Sequence, residues 1–166
     1  MSLLNSTKVI AEPNKQEYFV ERTFNAPRKL VFKAFTTPEL LVQWFLPKEL
    51  NMQIEIMDCK AGGSYKHFHT HPNGMKFGFR GVYHDVIVPE KISMTSEFEG
   101  LPQKMDAVLE TITFHESGDG DEIITKVVIH TVCPSVAFRD GMLSSGFETT
   151  IGKAHQLLDN LLAIIQ

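Results

Sequence analysis

The stretch that decides the fold is PSVAFRDGMLSSGFETTIGKAHQLLDNLLAIIQ, residues 134–166. From Leu143 its apolar residues recur at Phe147, Ile151, Ala154, Leu158, Leu161 or Leu162, and Ile165. Steps of three and four draw one stripe along a helix, which marks a face to be buried. Pro134 suits a first helical turn, where its missing N–H has no bond to lose. At ~1.5 Å per residue such a helix runs for roughly 45 Å. Gly146 and Gly152 interrupt it, each costing ~1 kcal/mol against Ala, and either marks a bend or a close approach of sheet or ligand.

Working back from that helix, the chain is short and strand-like. Strands are expected at Gln16–Phe24, Met52–Met57, Ser64–His69, Met75–Val88, Lys91–Phe98, Lys104–His115 and Glu122–Thr131. Pro72-Asn73-Gly74 is a strong turn signal, and the other links are short, so neighbours pair antiparallel. Two short helices separate the first strand from the second. One is capped by Asn25, with Leu30, Val31, Ala34 and Phe35 as its apolar face. The other begins at Thr37-Pro38 and closes on Trp44-Phe45 before Pro47. The expected fold is α+β: a curved antiparallel sheet of about seven strands wrapped around the long C-terminal helix, with two short helices after strand one. Residues 1–15 read as a flexible arm and residues 16–166 as a single domain.

A chain of 166 residues can build a core without disulfides. Its formal charge of −4 argues against nucleic acid, whose binders usually show a basic face. The opening residues lack the basic start and apolar run of a signal peptide, and no apolar stretch approaches the ~18 residues of a membrane span. Cys59 and Cys133 could pair in principle, but a reduced cytoplasmic protein is the better reading.

Several segments together resemble a known family. They are RTFNAP (22–27), VFKAF (31–35), PEL (38–40), QWF (43–45), MDCKAGGSY (57–65), FRGVY (79–83), PEKI (89–92), SVAFRD (135–140) and SGFE (145–148). In that order they are similar to the family named for the activator of the heat-shock protein 90 ATPase. That family belongs to the START/SRPBCC superfamily, whose helix-grip fold is similar to the birch-pollen allergen. The resemblance implies a ligand cavity between sheet and helix. It also implies a weaker alternative, a chaperone-associated protein-interaction module. His155 stands where relatives often carry Tyr.

The residues supply materials for such a cavity. Phe77, Phe79 and Tyr83 share one strand face with Gly81, whose missing side chain leaves room. Met94 and Phe98 line the next strand, Ile112 the one after, and Glu110 falls on the same side as Ile112. Tyr65, His67 and His69 come from the strand before, Trp44-Phe45 closes the second short helix as a lid, and Phe147 and Ile151 come from the long helix. A mostly apolar wall with a few polar groups suits a small, largely apolar molecule. Glu110 is the candidate buried carboxylate, and desolvation would raise its pKa into the range of an acid or base. An enzyme of the cyclase, dehydratase or hydrolase kind, pairing Glu110 with His67 or His69, is the alternative.

His67, His69 and His71 stand two apart, so one strand face carries all three imidazoles. Alternate residues ~6–7 Å apart make poor metal geometry, and no second ligand motif is present. No metal, cofactor, nucleic acid or membrane is expected. A protein partner or a homodimer stays open.

Overall fold

The computed structural model describes residues 6–166. One antiparallel sheet holds β1 (Lys8–Ile10), β2 (Glu17–Phe24), β3 (Gln53–Met57), β4 (Ser64–Thr70), β5 (Lys76–Ile87), β6 (Lys91–Glu99), β7 (Val108–Ser117) and β8 (Ile124–Val132). The spatial order is β1-β2-β8-β7-β6-β5-β4-β3. From β3 to β8 each strand pairs with its successor, as the short links require. The sheet then continues through β2, which meets β8 from Glu17↔Val132 to Phe24↔Thr125. The α+β helix-grip plan expected from the sequence is the plan observed.

The strand count is eight rather than seven. Lys8–Ile10, inside the stretch expected to be a flexible arm, pairs with Phe19–Glu21 of β2. Residues 1–5 of that arm lie outside the described residues. The strand expected from Lys104 begins at Val108, because the β6 ladder reaches only to Ser96↔Val108 and leaves 104–107 unpaired.

The short helices are α1 (Arg28–Thr36) and α2 (Pro38–Leu41). Asn25 does not cap α1; Pro27 precedes its first residue, and the Pro27 carbonyl accepts from Leu30 N and Val31 N at 3.0 and 3.1 Å. The C-terminal helix also differs in detail. Its first piece, α3 (Val136–Met142), is capped by Ser135, whose Oγ accepts from Phe138 N at 3.0 Å, so Pro134 lies before the cap. A widened turn at Leu143–Phe147 follows, with Gly146 at φ 89°, a backbone conformation that favours glycine. Then α4 (Glu148–Ile165) runs uninterrupted through Gly152. Of the two candidate glycines, Gly146 is the break.

The apolar stripe does face the sheet, but its burial is graded. Ala154, Leu158, Leu161 and Leu162 are buried, Leu158 completely, whereas Leu143, Phe147 and Ile151 are only half-buried. Beneath the buried end the sheet presents Val20, Ile129, Ile112 and Ile92, with Val127 and Phe114 beside them, all buried. Complete burial of a side chain such as Leu158 is worth about 1.5–3 kcal/mol. The same end holds a buried polar cluster. Arg22 is ion-paired with Asp159 and donates to Thr7 Oγ1 at 3.2 Å, and Thr7 Oγ1 lies 2.9 Å from His155 Nδ1. That cluster ties the segment before β1 to α4. Arg139, buried in α3, donates to the carbonyls of Glu12 and Glu17 at 2.7 and 2.9 Å and to Asp140.

Cys59 and Cys133 are both free thiols. No described helix is long and apolar enough to cross a membrane.

Candidate functional site

Antiparallel register brings residues from five strands into one transverse row on the inward face. Tyr18 stands opposite Thr131, Thr131 opposite Glu110, Glu110 opposite Met94, and Met94 opposite Tyr83. One row further toward the buried end, the equivalent positions are Val20, Ile129, Ile112, Ile92 and Val86. A strand period of two fixes which side chains point inward, and the ladder fixes which of them meet.

Glu110 is the unusual member of its row. It sits deep in the protein, and burial alone pushes its carboxyl up to about 7. Even so it keeps accessible surface, and its carboxylate makes no hydrogen bond or ion pair among the described residues. A carboxyl this deep with no partner is an uncommon and costly arrangement. Thr131, fully buried beside it, also leaves its hydroxyl without a well-formed hydrogen bond. Tyr18 and Tyr65 both feel the Glu110 charge; burial and that charge raise their hydroxyl pKa values. Phe147 meets the Tyr18 ring edge-on at 5.3 Å, and Tyr65 and Tyr83 lie 5.4 Å apart. Around this row Met94, Ser96, Phe98, Phe79, Val108, Phe147 and Ile151 are all half-buried. This contrasts with the filled core one row away.

The histidines follow a different pattern. His67 and His69 are buried, with Nδ1 of one 3.1 Å from Nε2 of the other and ring centroids 5.2 Å apart. The expected wide spacing is closed because the two rings turn edge to face. Burial holds both neutral, His67 down to about 3 and His69 down to about 4, and the neighbouring His69 further disfavours a charge on His67. Phe77 stacks on His69 at 5.0 Å, and Phe45 covers both rings at 5.0 and 6.0 Å. His71 lies beyond the end of β4 and is exposed, so it does not join them. Among the described residues no group of three or more His, Cys, Asp or Glu side chains converges.

The expected acid–base pairing of Glu110 with His67 or His69 is not assembled. Neither histidine forms a hydrogen bond with Glu110, and the Tyr65 ring, 5.9 Å from that of His67, lies on the side of Glu110. Three expected wall positions are corrected as well. A β-carbon at Gly81 would fall 1.9 Å from the Thr95 carbonyl oxygen. That carbonyl turns inward over Gly81 to accept from the Tyr65 hydroxyl at 2.8 Å, while Thr95 Oγ1 accepts from Val82 N at 3.0 Å. Gly81 therefore permits a close backbone approach and leaves no hole. Ile112 is buried in the filled row. Trp44 is pinned in the core, its Nε1 donating to the Ala34 carbonyl at 3.0 Å, and Phe45 is the residue that overlies the β4 and β5 side chains. Of the expected Trp44-Phe45 lid it is Phe45 that lies over the sheet, while Tyr18 and Thr131 were not singled out by the sequence as wall residues; only their register places them there.

Two open hollows lie on the outside, one lined by Ile10, Glu12, Lys15, Glu17 and Phe19, the other by Asn25, Asp159, Leu162, Ala163 and Gln166. Neither includes Glu110 or its row, and both open to solvent, so the interior row is the better candidate site.

An eight-stranded antiparallel sheet gripping a long C-terminal helix, with a graded interior, defines a helix-grip domain. The chain belongs to the family described as activator of Hsp90 ATPase homolog 1-like protein, whose model matches residues 25–165. Among solved structures it is similar to a protein from Rhodobacter sphaeroides at 20% identity and TM-score 0.85, covering 97% of this chain and 100% of that one. A Mycobacterium smegmatis protein matches at 20% identity and TM-score 0.82, covering 97% and 99%. A Staphylococcus epidermidis protein matches at 26% identity and TM-score 0.79, covering 93% and 94%. No curated protein sequence matches the chain.

Proposed function

We propose that this chain binds a small, largely apolar molecule between the sheet and the first half of α4. The observation that carries the reading is the graded interior. Ala154, Leu158, Leu161 and Leu162 of the stripe are buried over Val20, Ile129, Ile112 and Ile92, whereas Glu110, Met94, Val108, Phe147 and Ile151 are half-buried. Evenly packed cores leave few voids, and apolar walls with one or two polar groups are what ligand spaces usually offer. Family membership and the shared fold agree with a binding domain of this type.

The test uses N-phenyl-1-naphthylamine, a neutral dye that brightens in apolar surroundings. Saturable brightening is expected, together with its loss in Ile151→Trp, where a large ring fills the half-open end while the thermal midpoint is kept. Absence of saturable binding, or equal binding by the filled variant, would overturn the reading. Native mass spectrometry of freshly purified protein would then identify any molecule carried through purification.

A further inference from the structure

We infer that the molecule bound beside Glu110 is an organic amine, with its ammonium on the Glu110 carboxylate and its apolar part along Met94, Val108 and Phe79. The inference rests on the binding reading above and adds the chemistry of the ligand's polar end.

The argument begins with charge. The Glu110 carboxylate has no hydrogen-bond partner among the described residues. It has no nearby cation either. Arg22 is held by Asp159, and Arg139 is held by Asp140 and two carbonyls. The inward histidines of β4 hydrogen-bond each other and stay neutral. Around Glu110 the inward groups are Tyr18 from β2, Thr131 from β8, Met94 from β6 and Tyr65 from β4, with Phe147 arriving from the helical side. None of them is a cation, and the Tyr65 hydroxyl is spent on the Thr95 carbonyl. The missing countercharge must therefore be a proton or part of the ligand.

The three ligand chemistries differ sharply here. A carboxylate ligand would meet repulsion in a space without a cation. A neutral ligand would strip the remaining water from Glu110 and force it to stay protonated. An ammonium supplies the countercharge and a charge-assisted hydrogen bond, and the aromatic rings on both flanks give a desolvated cation favourable π surface. The Thr131 hydroxyl, fully buried and without a well-formed hydrogen bond, offers a second acceptor on the same row.

The experiment is displacement of N-phenyl-1-naphthylamine near pH 8 by octylamine, 1-octanol and octanoate, in the parent and in Glu110→Gln. Octylamine is expected to displace the dye at roughly tenfold lower concentration than octanol, the size of one charge-assisted contact. Octanoate should be the weakest. In Glu110→Gln the amine should lose that advantage over octanol, whose own affinity should hold or rise because no carboxyl then has to keep its proton. If octanol or octanoate equals octylamine, or if the advantage survives in Glu110→Gln, the amine inference fails while ligand binding stands. If the dye itself does not bind, both readings fail together. Circular dichroism of Glu110→Gln and an exposed control, Glu148→Gln, separates loss of the contact from loss of the fold.

Discussion

Replacing Glu110 by Gln should stabilise the protein above neutral pH and leave it little changed in mild acid. The cause is an uncompensated buried charge. In the unfolded chain the carboxyl ionises at its ordinary 4.5, whereas in the fold burial holds its proton until about 7. Between those values the folded state binds more protons than the unfolded state, so stability falls as pH rises, and the loss is complete above the folded value. The interval corresponds to about 3 kcal/mol, at ~1.4 kcal/mol per tenfold change in proton affinity. Because Glu110 keeps some accessible surface, solvent screening trims this to about 1–3 kcal/mol.

Chemical denaturation of parent and Glu110→Gln near pH 5 and pH 8 measures the effect. The comparison is made at each pH between the two proteins, so the histidine titrations that also act in this range cancel. A gain confined to pH 8 is expected. A variant equally displaced at both pH values, or less stable at pH 8, would refute the reasoning, because the carboxylate would then be paired or fully hydrated.

Other consequences follow from the same structure. His67, His69 and His155 are held neutral to about 3, 4 and 3, so the unfolded state alone takes up protons below the ordinary 6.5. Each should cost about 2 kcal/mol of stability by pH 5, and NMR of labelled histidine should show all three rings neutral there; an imidazole of this set titrating at its ordinary value would contradict its packing. Leu158→Ala should cost about 2–5 kcal/mol in denaturation midpoint, and Ile151→Ala distinctly less, because only Leu158 is fully enclosed; equal costs would mean the burial gradient is not felt energetically. Gly81→Ala should cost about 1–3 kcal/mol by forcing Thr95 off Tyr65. An unchanged melting temperature for Gly81→Ala would show that the strand has room there after all.

The sequence carried the architecture because periodicity is a local signal. The stripe from Leu143 to Ile165 and the alternation in β4 to β8 each depend on neighbours a few residues away. What it could not carry depends on which strands meet. β1 is three residues long and has no pattern of its own; it is a strand because β2 offers an edge. Gly81 reads as a hole when only its own strand is considered, and becomes a packing position once Thr95 of β6 is laid across it. Asn25 and Pro134 are good helix-start residues, yet Pro27 and Ser135 take those places, since helix ends shift by a residue or two with tertiary context.

Glu110 shows both sides of this limit. Its alternation with Val108 and Ile112 places it on the inward face from sequence alone. Its neighbours in space, Thr131 and Met94 directly and Tyr18 and Tyr83 beyond them, come from strands up to about ninety residues away and are fixed only by register. Those neighbours decide its chemistry. An inward carboxylate beside Arg22 would have been an ion pair, and one beside His67 could have exchanged a proton. Arg22 instead points inward two rows along the same face, where Asp159 claims it, and His67 is turned toward His69. Glu110 is left as the charge that the protein does not answer from within. An unanswered charge is costly to the fold and favourable to whatever arrives with the opposite sign. The stability test and the displacement test therefore probe the same free energy from two directions. A Glu110→Gln variant that gains stability above neutral pH should, for the same reason, lose its preference for an amine.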